Sequence, residues 1–268
     1  MTASAVIDLF AEWRDDPRLA GWVGHFSTRL DGVSGAPFAE RNLGFSTGDD
    51  RDAVRENRRR FAADCGLALD EIAVPGQCHG TAVAPLTRED RGEGSHAPSE
   101  RLRGFDAVLL RDTETFALSL SADCPLVLIA DPVRRRGGVA HAGWRGTAAG
   151  VVETLLDSLQ TDGTDLADCY AAISPGIGGE RFQVGSEVFE AMNGRPGAAE
   201  AQDGDRLALR ALHRATLIDA GLAADRVSTS PICSFEDPRF FSHRRDDGQT
   251  GRNGALIGWR GAAGSPGL

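Results

Sequence analysis

The chain has 268 residues, enough for one large domain or two small ones, and a formal net charge of -10 at pH 7. An acidic balance argues against nucleic acid as a partner, because phosphate contacts need a clustered basic face. Two short basic runs, Arg58–Arg60 and Arg134–Arg136, lie among acids and are interpreted as solvated surface. No stretch approaches 18 uninterrupted apolar residues, so neither a membrane span nor a membrane partner is predicted.

The cysteine content indicates a reducing compartment. There are five cysteines, an odd number without tight pairs, which is not typical of a disulfide framework. The N-terminal stretch carries acids and has no basic lead-in, so no signal peptide is expected. We therefore predict a cytoplasmic protein with reduced thiols.

The first third of the chain predicts short elements separated by polar connections. Residues 4–13 are predicted to form a short amphipathic helix. Asp49 or Asp50 can cap a second helix, whose apolar side includes Val54 and Phe61. Two brief strands are also predicted, at Trp22–Phe26 and Ile72–Val74.

The central and C-terminal regions are richer in strands. The segment 87–101 is rich in charge, Gly, Ser and Pro and is predicted to be a mobile surface loop. A helix is predicted from about Thr147 to Leu159, because its apolar residues share one face. Further helices are expected near residues 185–193 and 206–219. The predicted strands are Ala107–Leu110, Phe116–Leu120, Pro125–Ala130, Gly138–His141, Cys169–Ile173, Val227–Cys233 and Ala255–Trp259. Clusters of consecutive strands favour an α+β fold with mixed sheets and flanking helices over a doubly wound parallel sheet.

One motif combines a tight turn with a basic side chain. The run from His141 to Thr147 lies where a predicted strand ends and a helix begins, and Gly143 and Gly146 permit a sharp turn. The free amides of a helix start attract anions, and Arg145 adds forked donors suited to phosphate or carboxylate. An ordinary turn, with Arg145 paired to a surface acid, explains the same pattern.

Three side chains are candidates for a metal site. Thiolate and imidazole are preferred zinc ligands, and three protein ligands leave one position open for water or substrate. His79, Cys124 and His141 supply these groups, at separations of 45 and 17 residues that are not those of a compact finger motif. The same atoms also allow a metal-free site, in which His141 deprotonates Cys124 for attack on a carbonyl.

The ends of the chain hold further polar clusters. Phe26-Ser27-Thr28-Arg29 and Asn42-Leu43-Gly44 could contribute donors to a ligand. Phe240–Asp246, with Gly251-Arg252 after it, combines aromatic and basic groups, and a packed turn with Arg–Asp pairs on its surface is the alternative.

Taken in order, these motifs resemble the laccase-domain, or YfiH, family over about residues 22–259. Members of that family have been labelled multicopper polyphenol oxidases, purine nucleoside phosphorylases and peptidoglycan editing factors. The matching blocks are Phe26-Ser27-Thr28-Arg29, Asn42-Leu43-Gly44, Gln77-Cys78-His79-Gly80, Ala122-Asp123-Cys124-Pro125, His141-Ala142-Gly143-Trp144-Arg145-Gly146-Thr147 and Phe241-Ser242-His243-Arg244-Arg245-Asp246.

The resemblance implies a fold, a cofactor and a reaction. It implies one domain over residues 1–268, with mixed β-sheets packed as a sandwich, and zinc on His79, Cys124 and His141. The implied activity is phosphorolysis of adenosine, inosine and methylthioadenosine, with adenosine deamination as a second reaction. The fold is shared with cytotoxic necrotizing factor deamidases, which use a Cys–His pair. A Cys124–His141 thiol hydrolase or amidase acting on a peptidoglycan precursor therefore stays an alternative.

Roles for the remaining residues follow from this scheme as hypotheses. Arg29, Arg145 or Arg245 would orient phosphate, Asn42 would contact substrate, and Asp123 would carry a proton or support a ligand. Copper could occupy the same three ligands, since copper outranks zinc in intrinsic affinity. Six histidines are too few for a multicopper oxidase centre, however. The predicted partners are a purine nucleoside and phosphate, and the protein is expected to be a monomer or homodimer.

Overall fold

The computed structural model describes residues 4–261. Within that range the strands are β1 (Val6–Asp8), β2 (Trp22–Ser27), β3 (Ile72–Ala73), β4 (Val83–Leu86), β5 (Ala107–Leu110), β6 (Phe116–Ser121), β7 (Leu126–Asp131), β8 (Arg136–His141), β9 (Tyr170–Ile173), β10 (Gln202–Asp203), β11 (Arg206–Leu207), β12 (Val227–Thr229) and β13 (Asn253–Trp259). The α-helices are α1 (Arg51–Asp64), α2 (Trp144–Ala149), α3 (Val151–Thr161), α4 (Ser186–Met192) and α5 (Leu209–Asp219).

Two mixed sheets form the centre of the fold. The first has the order β1-β2-β13-β6-β3, with all pairs antiparallel except β3 with β6. The second has the order β12-β9-β7-β8-β5-β4, with parallel pairs only at its two edges. This α+β architecture of mixed sheets and helices confirms the predicted fold class.

The two sheets pack face to face because their strands alternate in side-chain direction. Leu126, Leu128 and Ala130 of β7 enter a shared core together with Ala255 and Ile257 of β13. The intervening residues of β7 point to the opposite face. The strands are therefore buried on both sides, which explains their continuous apolar runs.

Helices cover both outer faces. On the six-stranded sheet, Val127 and Ile129 pack against Leu155 and Leu159 of α3, and α5 lies beside them. On the five-stranded sheet, Phe61 of α1 belongs to a core shared with β6 and β13. The order of layers is thus helix, sheet, sheet, helix, as the predicted sandwich with flanking helices requires.

The helix predicted over residues 4–13 is wrong. Val6–Asp8 form the edge strand β1, antiparallel to β2, and Ala11–Trp13 form a single 3-10 turn. Phe10 is buried against Gly24, where an added Cβ would lie 2.5 Å from the Phe10 ring. Backbone pairing with β2 and burial of one aromatic ring therefore outweigh the weak helical pattern.

The other predicted elements are confirmed with shifted ends. Asp50 is the N-cap of α1, and its carboxylate accepts from two backbone amides. The helix predicted from Thr147 to Leu159 is divided into α2 and α3 by Gly150, whose φ of +90° is accessible to glycine. The strand predicted to reach Cys233 ends at Thr229.

The segment 87–101 is held by several contacts, while its mobility stays a prediction. The Glu93 carbonyl accepts from the Val74 amide at 2.8 Å, and Ser95 is fully buried. Arg58 donates to the carbonyls of Gly94 and Ser95 at 2.7 and 3.0 Å. The interpretation of Arg58 as solvated surface is therefore wrong, because its position on α1 turns it inward. None of the helices within residues 4–261 is both long and apolar enough to cross a membrane.

A buried histidine on α5 makes folding sensitive to acid. His213 is 1% exposed and hydrogen-bonds the Ala142 carbonyl through Nε2 at 3.0 Å. Burial lowers the pKa of His213 from 6.5 to about 4, so the unfolded chain binds the extra proton between these values. The stability that the buried, neutral His213 contributes to the fold is thus fully present above pH 6.5 and is lost as pH falls towards 4.

We expect the stability of the wild-type protein to fall by about 3 kcal/mol more than that of His213→Gln between pH 7 and pH 4. Urea denaturation of both metal-free proteins across this range measures the difference. Parallel stability curves would contradict the argument.

Candidate metal centre

Three side chains from distant parts of the sequence meet at one end of the six-stranded sheet. One ligand atom each from His79, Cys124 and His141 lies within 4.8 Å of the others. His79 is exposed, Cys124 is half-buried and His141 is 4% exposed, so the cluster opens to one side. In the described part of the chain no second cluster of this kind occurs. The predicted convergence of these three residues is confirmed.

Strand register brings two of these residues together. β7 and β8 are antiparallel neighbours, with Leu126 opposite His141 at the last pair. Cys124 lies just before this pair, in the turn that joins β6 to β7, and its carbonyl accepts from the Ser121 hydroxyl at 2.5 Å. The thiol therefore comes next to the imidazole because of sheet pairing.

Asp106 organises the third ligand around the same point. It precedes β5, whose pairing with β8 places it beside His141. Its Oδ1 lies 2.8 Å from Nδ1 of His141 and accepts from the His79 amide at 2.9 Å. Its Oδ2 accepts from the amides of Cys78 and Gly80 at 2.9 and 2.7 Å. One buried carboxylate thus orients His141 and shapes the turn that carries His79.

The electrostatics favour the ligand form of the thiol. Burial acts to raise the pKa of Cys124, but the neighbouring imidazoles of His141 and His79 lower it to about 6. Burial lowers the pKa of His141, but the Cys124 thiolate and the Asp106 carboxylate raise it to about 9. Hydrogen bonds, led by that from His141, hold the pKa of Asp106 well below its usual range despite its burial. The neighbouring imidazoles therefore favour the thiolate of Cys124, the form that binds a metal.

Two local backbone features complete the cluster. His79 has a φ of +66°, an uncommon value for a residue with a side chain, and its amide is held by Asp106. His79 therefore lies in a bend beyond the end of β3. Gly143 leaves room for the thiol, because a Cβ there would lie 2.6 Å from Sγ of Cys124.

The cluster lines a cavity of about 500 Å³ that contains one more predicted residue. Arg145, one residue into α2, lines this cavity and is exposed, with its guanidinium 4.3 Å from the Trp144 ring centroid. His243 also lines it, from the C-terminal motif.

Four predicted site residues do not line this cavity. Asn42 is fully buried, and both of its amide atoms are hydrogen-bonded to protein. Arg29 donates to the Ala39 carbonyl and covers the Phe241 ring. Arg245 donates to backbone carbonyls and to Asp246.

Asp123 is the fourth, and it supports the turn next to Cys124. Its two carboxylate oxygens accept from the Ser234 hydroxyl at 2.6 Å and the Arg244 amide at 2.7 Å. Its φ is +86°. The carboxylate therefore connects the turn to the C-terminal motif and has no hydrogen bond to the three candidate ligands.

Sequence reasoning missed two residues at this site: Asp106 and Arg58. Asp106 stands immediately before a confirmed strand, a position where it could have been suspected. Arg58 was assigned to a basic run, although helical spacing from Val54 and Phe61 marks it as inward. Arg252 was grouped with the C-terminal aromatic and basic cluster, but no role at the site was predicted for it.

Comparison with known proteins identifies the family to which this chain belongs. The family model described as multi-copper polyphenol oxidoreductase laccase matches residues 23–260. The chain belongs to this laccase-domain family, which includes the YfiH and YlmD proteins. The resemblance inferred from the motifs is confirmed.

Relatives in the laccase-domain family match along nearly their whole length. The purine nucleoside phosphorylase YlmD of Bacillus subtilis is 33% identical over 246 residues, covering 89% of this chain and 88% of that protein. The purine nucleoside phosphorylase YfiH of Escherichia coli is 33% identical over 245 residues, covering 90% and 95%. The crystal structure of Bacillus licheniformis YfiH superposes with a TM-score of 0.89 at 30% identity, covering 97% of this chain and 98% of the other.

Replacing Asp106 should loosen the metal site without abolishing it. In Asp106→Asn one oxygen becomes an NH₂ group that cannot accept from the amides or from His141. We expect zinc affinity to fall roughly 10- to 100-fold, as for other carboxylates that orient a ligating histidine. Competition with a fluorescent zinc chelator measures this change, and wild-type affinity in the variant would contradict the role of Asp106.

Adding one methyl group at Gly143 should displace the thiol. The Cβ in Gly143→Ala would overlap Sγ of Cys124, so we expect at least a roughly 10-fold loss of zinc affinity, with the metal-free protein destabilised by no more than about 1–3 kcal/mol. Gly35→Ala is the matched control, because a Cβ there meets no atom within 4 Å. Equal zinc affinity in the two variants would refute the steric argument.

Proposed function

We propose that this protein is a zinc-dependent purine nucleoside phosphorylase acting on adenosine, inosine and methylthioadenosine, with adenosine deamination as a second activity. The observation that carries the proposal is the intact His79, Cys124 and His141 cluster at the wall of a cavity that also holds Arg145. Support comes from relatives about one-third identical over nearly their full length, whose names state purine nucleoside phosphorylase.

The residues fit zinc on three counts. One thiolate and two imidazoles form a zinc donor set, and bonds of about 2.0–2.3 Å in a tetrahedron place ligand atoms about 3.5 Å apart. In the structure the three ligand atoms lie within 4.8 Å of one another, so zinc binding would require them to approach one another by little more than about 1 Å. Asp106 occupies Nδ1 of His141, which leaves Nε2 for the metal, the arrangement of a carboxylate–histidine–zinc triad. Zinc held there would supply a Lewis acid with one open coordination position.

Some of the predicted residues can contact substrate in the cavity, and others support the segments around it. Arg145 reaches the cavity with a charged fork that suits phosphate. Asp123 would support the turn that carries Cys124, and its carboxylate would act through that turn. Asn42 and Arg245 would act in the same indirect way, through the segments that they hold. A cytoplasmic setting with reduced thiols suits the Cys124 thiolate.

A metal-free thiol hydrolase is the second candidate, because of one specific observation. Cys124, His141 and Asp106 follow one another in the order nucleophile, base and orienting carboxylate. Such a triad has no need of His79, however. Asp106 accepts a hydrogen bond from the His79 amide and so fixes the position of a residue that only the three-ligand site uses. This bond favours the three-ligand site.

A copper-dependent polyphenol oxidase is the third candidate, and the family description mentions copper. The same three ligands could hold one copper ion. The described residues hold one three-ligand cluster, whereas a multicopper centre needs several coupled metals. Copper binding at this cluster would therefore account for an oxidase activity only as a side reaction.

Product identification from adenosine with phosphate tests the proposal. We expect adenine and ribose 1-phosphate from phosphorolysis, with a smaller amount of inosine from deamination. Chelation should abolish both products and zinc should restore them, whereas a thiol hydrolase survives chelation and is inactivated by alkylation. Absence of nucleoside turnover by the zinc-loaded protein would refute the proposed function.

Removal of a ligand should have the same effect as chelation. We expect Cys124→Ala and His79→Ala to lose at least about 100-fold in kcat/KM for adenosine phosphorolysis. Cys78→Ser is the matched control, because Cys78 lies outside the cavity lining and a serine hydroxyl can keep the hydrogen bond that its thiol donates to Asp106 at 3.3 Å. Full activity in His79→Ala would contradict a zinc mechanism and favour the thiol hydrolase.

A further inference from the structure

A buried arginine faces the cavity from α1 without an acidic partner. Arg58 is 3% exposed and donates to the carbonyls of Leu43, Gly94 and Ser95, and its guanidinium stacks 4.3 Å from the Phe45 ring centroid. No carboxylate lies within 4.0 Å of it among residues 4–261. Burying a positive charge without a counter-charge is costly. Carbonyl oxygens accept from its Nε and Nη1 but leave its charge uncompensated.

A second arginine approaches the same cavity from the segment before β13. Arg252 is half-buried, and its Nη1 donates to the carbonyls of Thr250 and Gly251 at 3.0 Å. It also has no ion pair among the described residues. Burial lowers the pKa of Arg252, as it lowers that of Arg58 to about 9, so an anion in the cavity would relieve both groups.

The short segment Asn42–Phe45 connects the two arginines. The Leu43 carbonyl accepts from Nε of Arg58 at 2.7 Å, and the Leu43 amide donates to the Arg252 carbonyl at 3.1 Å. Asn42 accepts from the Arg252 amide at 2.8 Å. Gly44 makes room for the second arginine, because a Cβ there would lie 2.6 Å from Cγ of Arg252. The whole segment is thus shaped to hold two cations beside one cavity.

The rest of the cavity wall strengthens the positive field. Arg145 lines the cavity with Arg58 and Arg252, and no Asp or Glu is among the described residues that line it. The protein as a whole carries a formal net charge of -10. Three arginines outnumber the single acidic thiol of Cys124 in this wall, and a positively charged cavity in an acidic protein concentrates small anions.

We propose that Arg58 and Arg252, held by the segment Asn42–Phe45, form a phosphoryl-binding subsite in the cavity of the His79, Cys124 and His141 cluster. This inference rests on the proposed function and names the residues that hold the anion. Forked guanidinium groups match the tetrahedral oxygens of phosphate. The phosphoryl group is either free orthophosphate, the co-substrate, or a phosphate carried by the nucleoside.

A purely structural role for Arg58 is the competing explanation, since it connects α1 to two loops. A substitution of Arg252 distinguishes the two explanations, because its guanidinium donates only to the carbonyls of Thr250 and Gly251, which are close to it in sequence. Its truncation should leave the fold intact. Gly44→Ala adds an independent variant, which displaces the Arg252 side chain while keeping its charge.

The test measures binding of inorganic phosphate to the zinc-loaded protein by calorimetry at constant ionic strength. We expect Arg252→Gln to weaken phosphate binding roughly 10- to 100-fold, and Gly44→Ala to weaken it in the same direction. The KM for phosphate should rise as phosphate binding weakens, while the KM for adenosine should change less than about 2-fold. Arg244→Gln is the matched control, since Arg244 lies outside the cavity lining and its guanidinium donates to the Gln183 carbonyl.

The outcomes separate this inference from the proposed function. Phosphate binding that requires Arg252, without nucleoside turnover, supports the subsite and refutes the phosphorylase. Turnover with unchanged phosphate affinity in Arg252→Gln and Gly44→Ala overturns the subsite. Adenosine 5′-monophosphate distinguishes the sources: if it binds more tightly than adenosine, and Arg252→Gln removes the difference, the nucleoside carries the phosphoryl group. Failure of both phosphate and the monophosphate to bind the wild-type protein also overturns the subsite.

Discussion

The hydrogen bonds accepted by the Asp106 carboxylate are the constraint on which the site depends. This buried group takes three consecutive backbone amides, from Cys78 to Gly80, and also engages Nδ1 of His141. A buried carboxylate without such partners would be strongly destabilising. The same bonds that satisfy it also hold His79 in its left-handed conformation. Assembly of the candidate metal ligands therefore depends on the pairing of β5 with β8.

Charge is distributed in this protein with a clear separation between surface and cavity. The acidic residues keep the overall charge negative, whereas the cavity wall carries arginine and histidine. Arg59 and Arg60, which neighbour Arg58 on α1, pair with Glu56 at the surface and are neutralised there. One turn of helix thus contains both solvated ion pairs and an uncompensated buried cation. Helical geometry alone separates these two environments.

The helix predicted over residues 4–13 shows where local pattern fails. Three residues of that segment find hydrogen-bond partners on β2, and an edge strand satisfies their backbone groups as well as a helical turn would. Phe10 then fills the space left by Gly24. Both partners are distant along the chain, so no window of neighbouring residues contains the information. The central strands were predicted well because burial on both faces leaves an apolar run that any window detects.

The sequence by itself determined the mixed-sheet α+β fold, the family and the three candidate metal ligands, His79, Cys124 and His141. Apolar runs and ordered motifs are local properties, and each can be read without knowing its neighbours in space. Only the tertiary structure decided that Asp106 supports two of the ligands and that Arg58 and Arg252 share a cavity with them. It also decided that Asn42 and Arg245 lie away from that cavity. Strand register and helix packing set these relations, and both depend on contacts between residues far apart in the chain.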